Sequence, residues 1–130
     1  MRINFDSVKP IYAQVAAAVE DEIILGKLRE GEPVYSQLVL SRELNINPAT
    51  AAKGINLLVQ KGVLEKQRGL SMTVAIGAKQ RILDEKREKE FSETVETLID
   101  QARKTGLSEE QVIAKIRASF TAAERNGHYE

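Results

Sequence analysis

Residues 36–62 read SQLVLSRELNINPATAAKGINLLVQKG, and this stretch decides the fold. The pattern predicts a short helix, a tight turn and a second helix with marked ends. Asn47 can cap the second helix by accepting a backbone N–H of its first turn, and Pro48 suits the next position because its missing N–H costs nothing there. Gly62 suits the left-handed residue that commonly follows a helix.

The second predicted helix, from Asn47 to Lys61, has one apolar and one polar face. Its apolar residues recur at helical spacing and predict a buried stripe of Ala51, Ile55, Leu58 and Val59. The opposite face is short or polar apart from one lysine and consists of Asn47, Ala49, Thr50, Lys53 and Asn56. A helix-turn-helix protein lays such a face into the major groove of DNA. Helical pairs of this geometry are also purely structural, so the flanking sequence must decide.

Upstream, the sequence predicts an arm over residues 1–9 and a core helix from about Pro10 to Leu25. The helix carries an apolar stripe of Ile11, Val15, Val19 and Ile23. Glycines and a proline within residues 26–35 then predict a turn, after which Ser36 is a suitable cap for the next helix.

After Gly62 the apolar period changes from helical to alternating. Residues 63–67 and 72–76 predict two strands of a hairpin, and residues 68–71 predict its turn. Helices followed by such a hairpin make a winged helix-turn-helix domain, which we predict over residues 8–77. Gln67, Arg68, Gly69 and Ser71 at the hairpin tip are then candidates for contacting DNA.

Beyond a predicted hinge at Gly77 and Ala78, the sequence predicts a two-helix C-terminal dimerisation region over residues 78–126. The first helix, from Lys79 to about Lys104, begins as a charged segment that we expect to be a solvated spacer. Ser108 and Gln111 form a capping-box pattern at the start of the second helix. The apolar faces could fold back on the winged domain or pair with a second chain. We favour a homodimer interface of Phe91, Val95, Leu98, Ile99, Val112, Ile116 and Phe120.

Composition excludes several other classes of protein. The chain has 130 residues, no cysteine and a formal net charge of zero, with 42% hydrophobic and 29% charged residues. We therefore expect a soluble, cytoplasmic protein without a signal peptide, a membrane span or a cofactor. Residues 36–73 nevertheless hold five basic and two acidic side chains, a local charge of +3 that suits a phosphate backbone.

Many spaced positions together resemble the GntR family of bacterial transcription regulators over about residues 8–76. They include Pro10-Ile11-Tyr12-x-Gln14-Val15, Gly26-Lys27-Leu28-x-x-Gly31-Glu32, Ser36, Arg42-Glu43-Leu44, Asn47-Pro48-x-Thr50-x-x-Lys53, Leu58-x-x-x-Gly62-Val63-Leu64 and Arg68-Gly69. The Asn-Pro-x-Thr helix start and the short C-terminal region are similar to the YtrA subfamily.

The resemblance implies an operator-binding homodimer that acts as a repressor, with a small-molecule effector of unknown identity as a further partner. It implies DNA contacts by Ser36, Asn47, Thr50 and Lys53, with Arg68 and Gly69 in the wing. Gln37, Pro48 and Ala49 complete the candidate surface. The chain departs from the family pattern at three positions. Leu38 replaces the usual arginine, Ala49 replaces the subfamily's asparagine, and Ser71 replaces the second glycine of the wing.

Two other functions compete with sequence-specific DNA binding. A winged-helix protein-interaction module without DNA binding fits the neutral total charge and the missing arginine. An enzyme fits poorly, because the single histidine, His128, lies in a polar tail and no nucleophile–base pair, metal-spaced cluster or phosphate loop is present in the sequence.

Overall fold

The computed structural model describes residues 1–67, Gly69 and residues 72–126. Within them the chain forms α1 (Ile11–Ile24), α2 (Gln37–Leu44), α3 (Pro48–Gln60), β1 (Leu64–Lys66), β2 (Met72–Val74), α4 (Ala78–Glu85), α5 (Phe91–Lys104) and α6 (Glu109–Asn126). Contacts separate two compact units, Met1–Lys86 and a second that begins at Arg87. The first unit is a winged helix-turn-helix, as the sequence predicts.

The helix-turn-helix has the predicted caps. The Ser36 hydroxyl oxygen accepts a hydrogen bond from the Val39 N–H at 3.1 Å, and Asn47 Oδ1 accepts one from the Ala49 N–H at 2.8 Å. Between the helices, Asn45 takes a left-handed conformation with φ of 52°, and Gly62 does so after α3 with φ of 75°. These local signals define where α2 and α3 begin and end.

The core forms where α1 crosses α3, and its closest approach is at Gly54. A side-chain carbon added to Gly54 would lie 2.9 Å from both the Tyr12 carbonyl oxygen and Val15 Cγ1. The buried residues of α3 are therefore Ala51, Gly54, Ile55 and Leu58. The prediction that Val59 completes this stripe is wrong, since its side chain is 36% exposed.

The wing contains more pairing than the sequence predicts. β1 and β2 are antiparallel, with Leu64 opposite Val74 and Lys66 opposite Met72. Residues 31–34, which were expected to be part of a turn, run along the other edge of β2. There the Val34 N–H donates to the Met72 carbonyl at 2.8 Å, and Pro33 pairs with Thr73. Proline is tolerated because this is an edge position.

The predicted hinge and solvated spacer are wrong for residues 77–85. Ala78 and Ile82 are 0% and 1% exposed and belong to the core of the first unit. The Gly77 N–H donates to Glu30 Oε1 at 2.6 Å. The contacts thus place the end of the first compact unit at Lys86, nine residues after the predicted domain boundary at Gly77.

The predicted long helix is helical throughout but not uniform. A π-helical turn, Lys86–Glu90, joins α4 to α5. In the second unit, Ser108 and Gln111 form the predicted capping box, with hydrogen bonds of 2.9 and 3.2 Å. Ala102 and Val112 are its buried apolar side chains among the described residues. No helix in residues 1–67 or 72–126 is long and apolar enough to cross a membrane.

Replacing Gly54 should separate α1 from α3. We expect Gly54→Val to lower the free energy of unfolding by about 1–3 kcal/mol, because the backbone of Tyr12 cannot move aside as a flexible side chain would. Urea denaturation followed by circular dichroism measures the effect. Gln60→Ala, on the exposed end of α3, should change it by less than about 0.5 kcal/mol. Equal stability of Gly54→Val and the native chain would show that the crossing is not tightly packed.

Candidate nucleic-acid interface

The N-terminal half of α3 presents its polar side chains as predicted from the sequence. Asn47, Pro48, Ala49 and Lys53 are exposed, while Thr50 is half-buried. The cap hydrogen bond uses only the Asn47 oxygen, so its side-chain NH₂ can still donate to another molecule. Ser36 and Gln37 at the start of α2 are also exposed.

Lys53 is held by a contact that the sequence does not reveal. Its Nζ lies 4.2 Å from the centre of the Tyr12 ring, a cation–π geometry. Tyr12 is the second residue of α1, and the close approach at Gly54 brings that end of α1 next to α3. The contact limits the positions that the ammonium group of a flexible lysine can adopt.

Tyr12 and Lys53 line one shallow groove together with residues of α2 and α3. The remaining lining residues are Gln37, Ala49, Ala52, Asn56, Leu57 and Gln60. The sequence predicts a role for four of the lining residues, Gln37, Ala49, Lys53 and Asn56, but none for Tyr12 or Gln60. The motif Pro10-Ile11-Tyr12 was a signal for Tyr12, but only the helix crossing shows what the ring contacts.

The wing contributes exposed residues beside its tip. Gln67 and Gly69 are exposed, and Gly69 has φ of 74°, a conformation that favours glycine. Among the described residues, and apart from its chain neighbours, no heavy atom lies within 4 Å of the position that a Gly69 side chain would occupy. The predicted contacts of Arg68 and Ser71 lie outside the described residues.

The second unit exposes most of the side chains predicted to form a dimer interface. Phe91 is 66% and Phe120 50% exposed, and four aliphatic side chains, Val95, Leu98, Ile99 and Ile116, are each 37–40% exposed. Val112 differs because it is 7% exposed within a single chain. A mainly apolar groove between α5 and α6 is lined by Leu98, Ala102, Leu107, Val112, Ile116 and Phe120, with polar Gln101, Thr105, Lys115 and Ser119.

Known proteins are similar in sequence to almost the full chain. The uncharacterized HTH-type transcriptional regulator YhcF of Bacillus subtilis is 28% identical over 118 residues, which are 91% of this chain and 95% of that protein. The HTH-type transcriptional repressor YtrA of Bacillus subtilis is 25% identical over 129 residues, 97% of this chain and 98% of YtrA. No protein-family model matches the chain.

Solved structures agree with these relatives. A protein assigned to the GntR family of transcriptional regulators from Bacteroides thetaiotaomicron is 29% identical, with a TM-score of 0.71 over 88% of this chain and 98% of that chain. BusR of S. agalactiae, solved in complex with its busAB promoter DNA, shares the fold at 24% identity. Its TM-score is 0.57 over 91% of this chain and 58% of BusR.

Fold and relatives together define a DNA-binding transcription regulator of the winged helix-turn-helix class. The resemblance to GntR-type regulators, YtrA among them, is confirmed.

The Tyr12 ring should contribute to DNA binding through Lys53. We expect Tyr12→Leu to weaken DNA binding by about two- to fivefold, since an exposed cation–π contact contributes roughly 0.5–1 kcal/mol. The affinity is measured by fluorescence anisotropy titration, with a DNA duplex to which the native protein binds. In a Lys53→Ala background the same Tyr12 change should have little further effect. Equal losses in both backgrounds would show that Tyr12 acts independently of Lys53.

Proposed function

We propose that the protein is a sequence-specific transcriptional repressor that binds a two-fold symmetric operator as a homodimer in the cytoplasm. In this proposal α3 enters the major groove and the hairpin of β1 and β2 is the wing. The observation that carries the proposal is the capped N-terminal half of α3, where short polar side chains and Lys53 are exposed beside Ser36 and Gln37.

The chemistry of this surface suits both bases and phosphates. Amide side chains of Asn47 and Asn56 can hydrogen-bond base edges, and Ala49 can contact a thymine methyl group. Lys53, held over Tyr12, can bind a phosphate or guanine. Because Thr50 is half-buried, we assign it a supporting contact at the edge of the surface.

The wing extends the same surface in our proposal. Gln67 and the open backbone at Gly69 suit a second contact to the sugar–phosphate backbone. Arg68 and Ser71 retain the contacts that the sequence predicts for them. Phosphate contacts of this kind fix the register of the protein on DNA but do not distinguish base sequences.

The exposed apolar side chains of α5 and α6 support the proposed homodimer. Large apolar side chains in contiguous exposed patches are typical of interaction surfaces, and burying each one is favourable by about 1.5–3 kcal/mol. A dimer would bind two half-sites about one DNA turn, or a multiple of it, apart. The second half-site is then bound at high effective concentration, which compensates for the neutral total charge of the chain.

Our proposal that the protein is a repressor rests on a relative and not on the geometry of the site. YtrA, similar along nearly its whole length, is named a transcriptional repressor. A bound protein represses when its operator overlaps the site that RNA polymerase needs. Footprinting the DNA upstream of the gene for this protein would identify the operator and its symmetry.

Removing the Lys53 ammonium group tests the interface. We expect Lys53→Ala to weaken binding to the footprinted operator. The slope of log affinity against log salt should fall by about two, because the substitution leaves one fewer phosphate neutralised in each of the two half-sites. Lys79→Ala is the matched control, because Lys79 lies beside Ile23, Gly26 and Leu28 at the opposite end of α1 from Tyr12. Affinity and salt slope unchanged by Lys53→Ala would remove Lys53 from the interface.

A charge on the apolar face of α5 tests the dimer. We expect Leu98→Asp to weaken self-association by at least about tenfold, since two-fold symmetry places the change in the interface twice. Analytical ultracentrifugation measures this constant. Thr97→Asp introduces the same charge at an exposed position that helical spacing places on another face, and should leave the dimer intact. A native chain that is monomeric at the concentrations that bind DNA would contradict the proposal.

A further inference from the structure

Gln14 belongs to the motif Pro10-Ile11-Tyr12-x-Gln14-Val15, but the proposed DNA interface gives it no role. Its side-chain amide is bonded to the chain upstream of α1. Oε1 accepts a hydrogen bond from the Asn4 N–H at 2.7 Å, and Nε2 donates to the carbonyl oxygens of Asn4 and Lys9, each at 2.9 Å. One side chain thus fastens both ends of residues 4–9, which we call the N-terminal loop.

Further hydrogen bonds order the inside of the N-terminal loop. The Asp6 N–H donates to Asn4 Oδ1 at 3.0 Å, and the Lys9 N–H donates to the Ser7 hydroxyl oxygen at 3.1 Å. The loop nevertheless adds nothing to the core, because each of its residues is exposed and Val8 is fully so. Its ordering costs conformational entropy that burial of its side chains does not offset, which indicates a role outside the fold.

The N-terminal loop ends beside the proposed DNA interface. Lys9 is exposed, and only two residues separate it from Tyr12, so the two Cα atoms are at most about 11 Å apart. The Tyr12 ring lies next to the Lys53 ammonium and lines the same groove as Gln37 and Asn56. Since the major groove of DNA is about 12 Å wide, a basic group this close to the α3 surface can reach the phosphates that border the groove.

The charge at this end of the chain suits phosphate. Residues 1–10 hold two basic side chains, Arg2 and Lys9, and one acidic side chain, Asp6. The first turn of α1 contains no acidic residue. Within the part of the chain that the structure describes, no ion pair engages the Lys9 ammonium, which is therefore available to an anion.

DNA fits the N-terminal loop better than a protein partner does. A stable protein interface covers about 800 Å² on each partner, which is more than six exposed residues can provide. A sugar–phosphate backbone needs only one or two contacts at a time, because the other contacts to the same duplex come from α3.

We propose that the N-terminal loop binds the sugar–phosphate backbone of DNA beside the base pairs that α3 contacts, with Lys9 on a phosphate and Gln14 as the positioning residue that holds it there. The inference rests on the proposed DNA binding by α3. It involves only the unit Met1–Lys86, which contains the loop, Gln14 and α3. Because Gln14 orders the loop when the domain folds, binding does not have to order it again.

The experiment compares the native full-length chain with three variants on a duplex that carries one half-site of the footprinted operator. Lys9→Ala removes the proposed phosphate contact, whereas Gln14→Met removes the amide that holds the loop and leaves the charge unchanged. Lys27→Ala is the matched control, because Lys27 is exposed just beyond the other end of α1. Fluorescence anisotropy titrations at several salt concentrations give the affinity and its salt slope, and circular dichroism checks the fold.

We expect Lys9→Ala to weaken binding by about two- to tenfold and to lower the salt slope by about one, because one fewer phosphate is neutralised on the half-site. Gln14→Met should lower the slope by at least about half as much, although it removes no charge. Added to Lys9→Ala, it should leave the slope where Lys9→Ala set it. Lys27→Ala should change neither the affinity nor the slope.

Asn4→Pro replaces Gln14→Met if that variant does not fold. It removes the N–H that donates to Gln14 Oε1, and Asn4 lies outside every helix of the described residues. Asn4→Pro should therefore loosen the loop without altering α1, and should lower the salt slope in the same way.

Three results would overturn the inference. Native affinity and slope in Lys9→Ala would show that the loop does not contact DNA, and would leave a protein as its partner. A slope unchanged by Gln14→Met, or by Asn4→Pro in its place, would show that Gln14 does not position Lys9, even if the affinity falls. An equal loss of slope in Lys27→Ala would show a general effect of charge. A native protein that binds no operator would instead contradict the proposed function on which the inference rests.

Discussion

The structure depends on the crossing of α1 and α3 at Gly54. A single missing side chain lets the backbone of Tyr12 and the side chain of Val15 approach α3. On either side of this crossing, residues further along α1 contact residues further along the chain of α3 and its end. Tyr12 meets Lys53 near the start of α1, and Glu20 meets Lys61 towards its end. One packing constraint thus positions both Lys53 and Lys61.

Local sequence signals predicted the helix-turn-helix well because they are properties of a few adjacent residues. Asn47, Pro48 and Gly62 mark the ends of α3 through cap and backbone preferences that act within one turn. The capping box at Ser108 is local in the same sense. The exposed polar face of α3 followed from its helical period, and so most of the candidate surface was predictable.

Contacts between distant segments were not predictable in this way. From the sequence alone, Gly54 is only a residue of low helix propensity. Its role in packing is seen only in the structure, where α1 lies against it. Tyr12 had no visible partner until that crossing placed it under Lys53. Residues 31–34 contain breakers typical of a turn, yet their backbone pairs with β2 because an edge remained open there. α4 was misjudged because its many charges concealed two buried residues, Ala78 and Ile82, four positions apart.

The positively charged side chains near α3 also form two groups. A count of charged residues along the sequence does not separate them. Lys61 contributes to the local excess of +3, but in the structure its charge is matched by Glu20 and Glu85. Lys53 instead lies on the exposed N-terminal half of α3 that we propose contacts DNA, towards the positive end of the helix dipole. Cations at the other end, Lys61 and Arg81, instead offset the negative end of the same dipole. The cations around α3 therefore divide between Lys53, which we propose contacts DNA, and Lys61 and Arg81, which join the end of α3 to α4. The count of +3 thus overstates the positive charge that is available to phosphate.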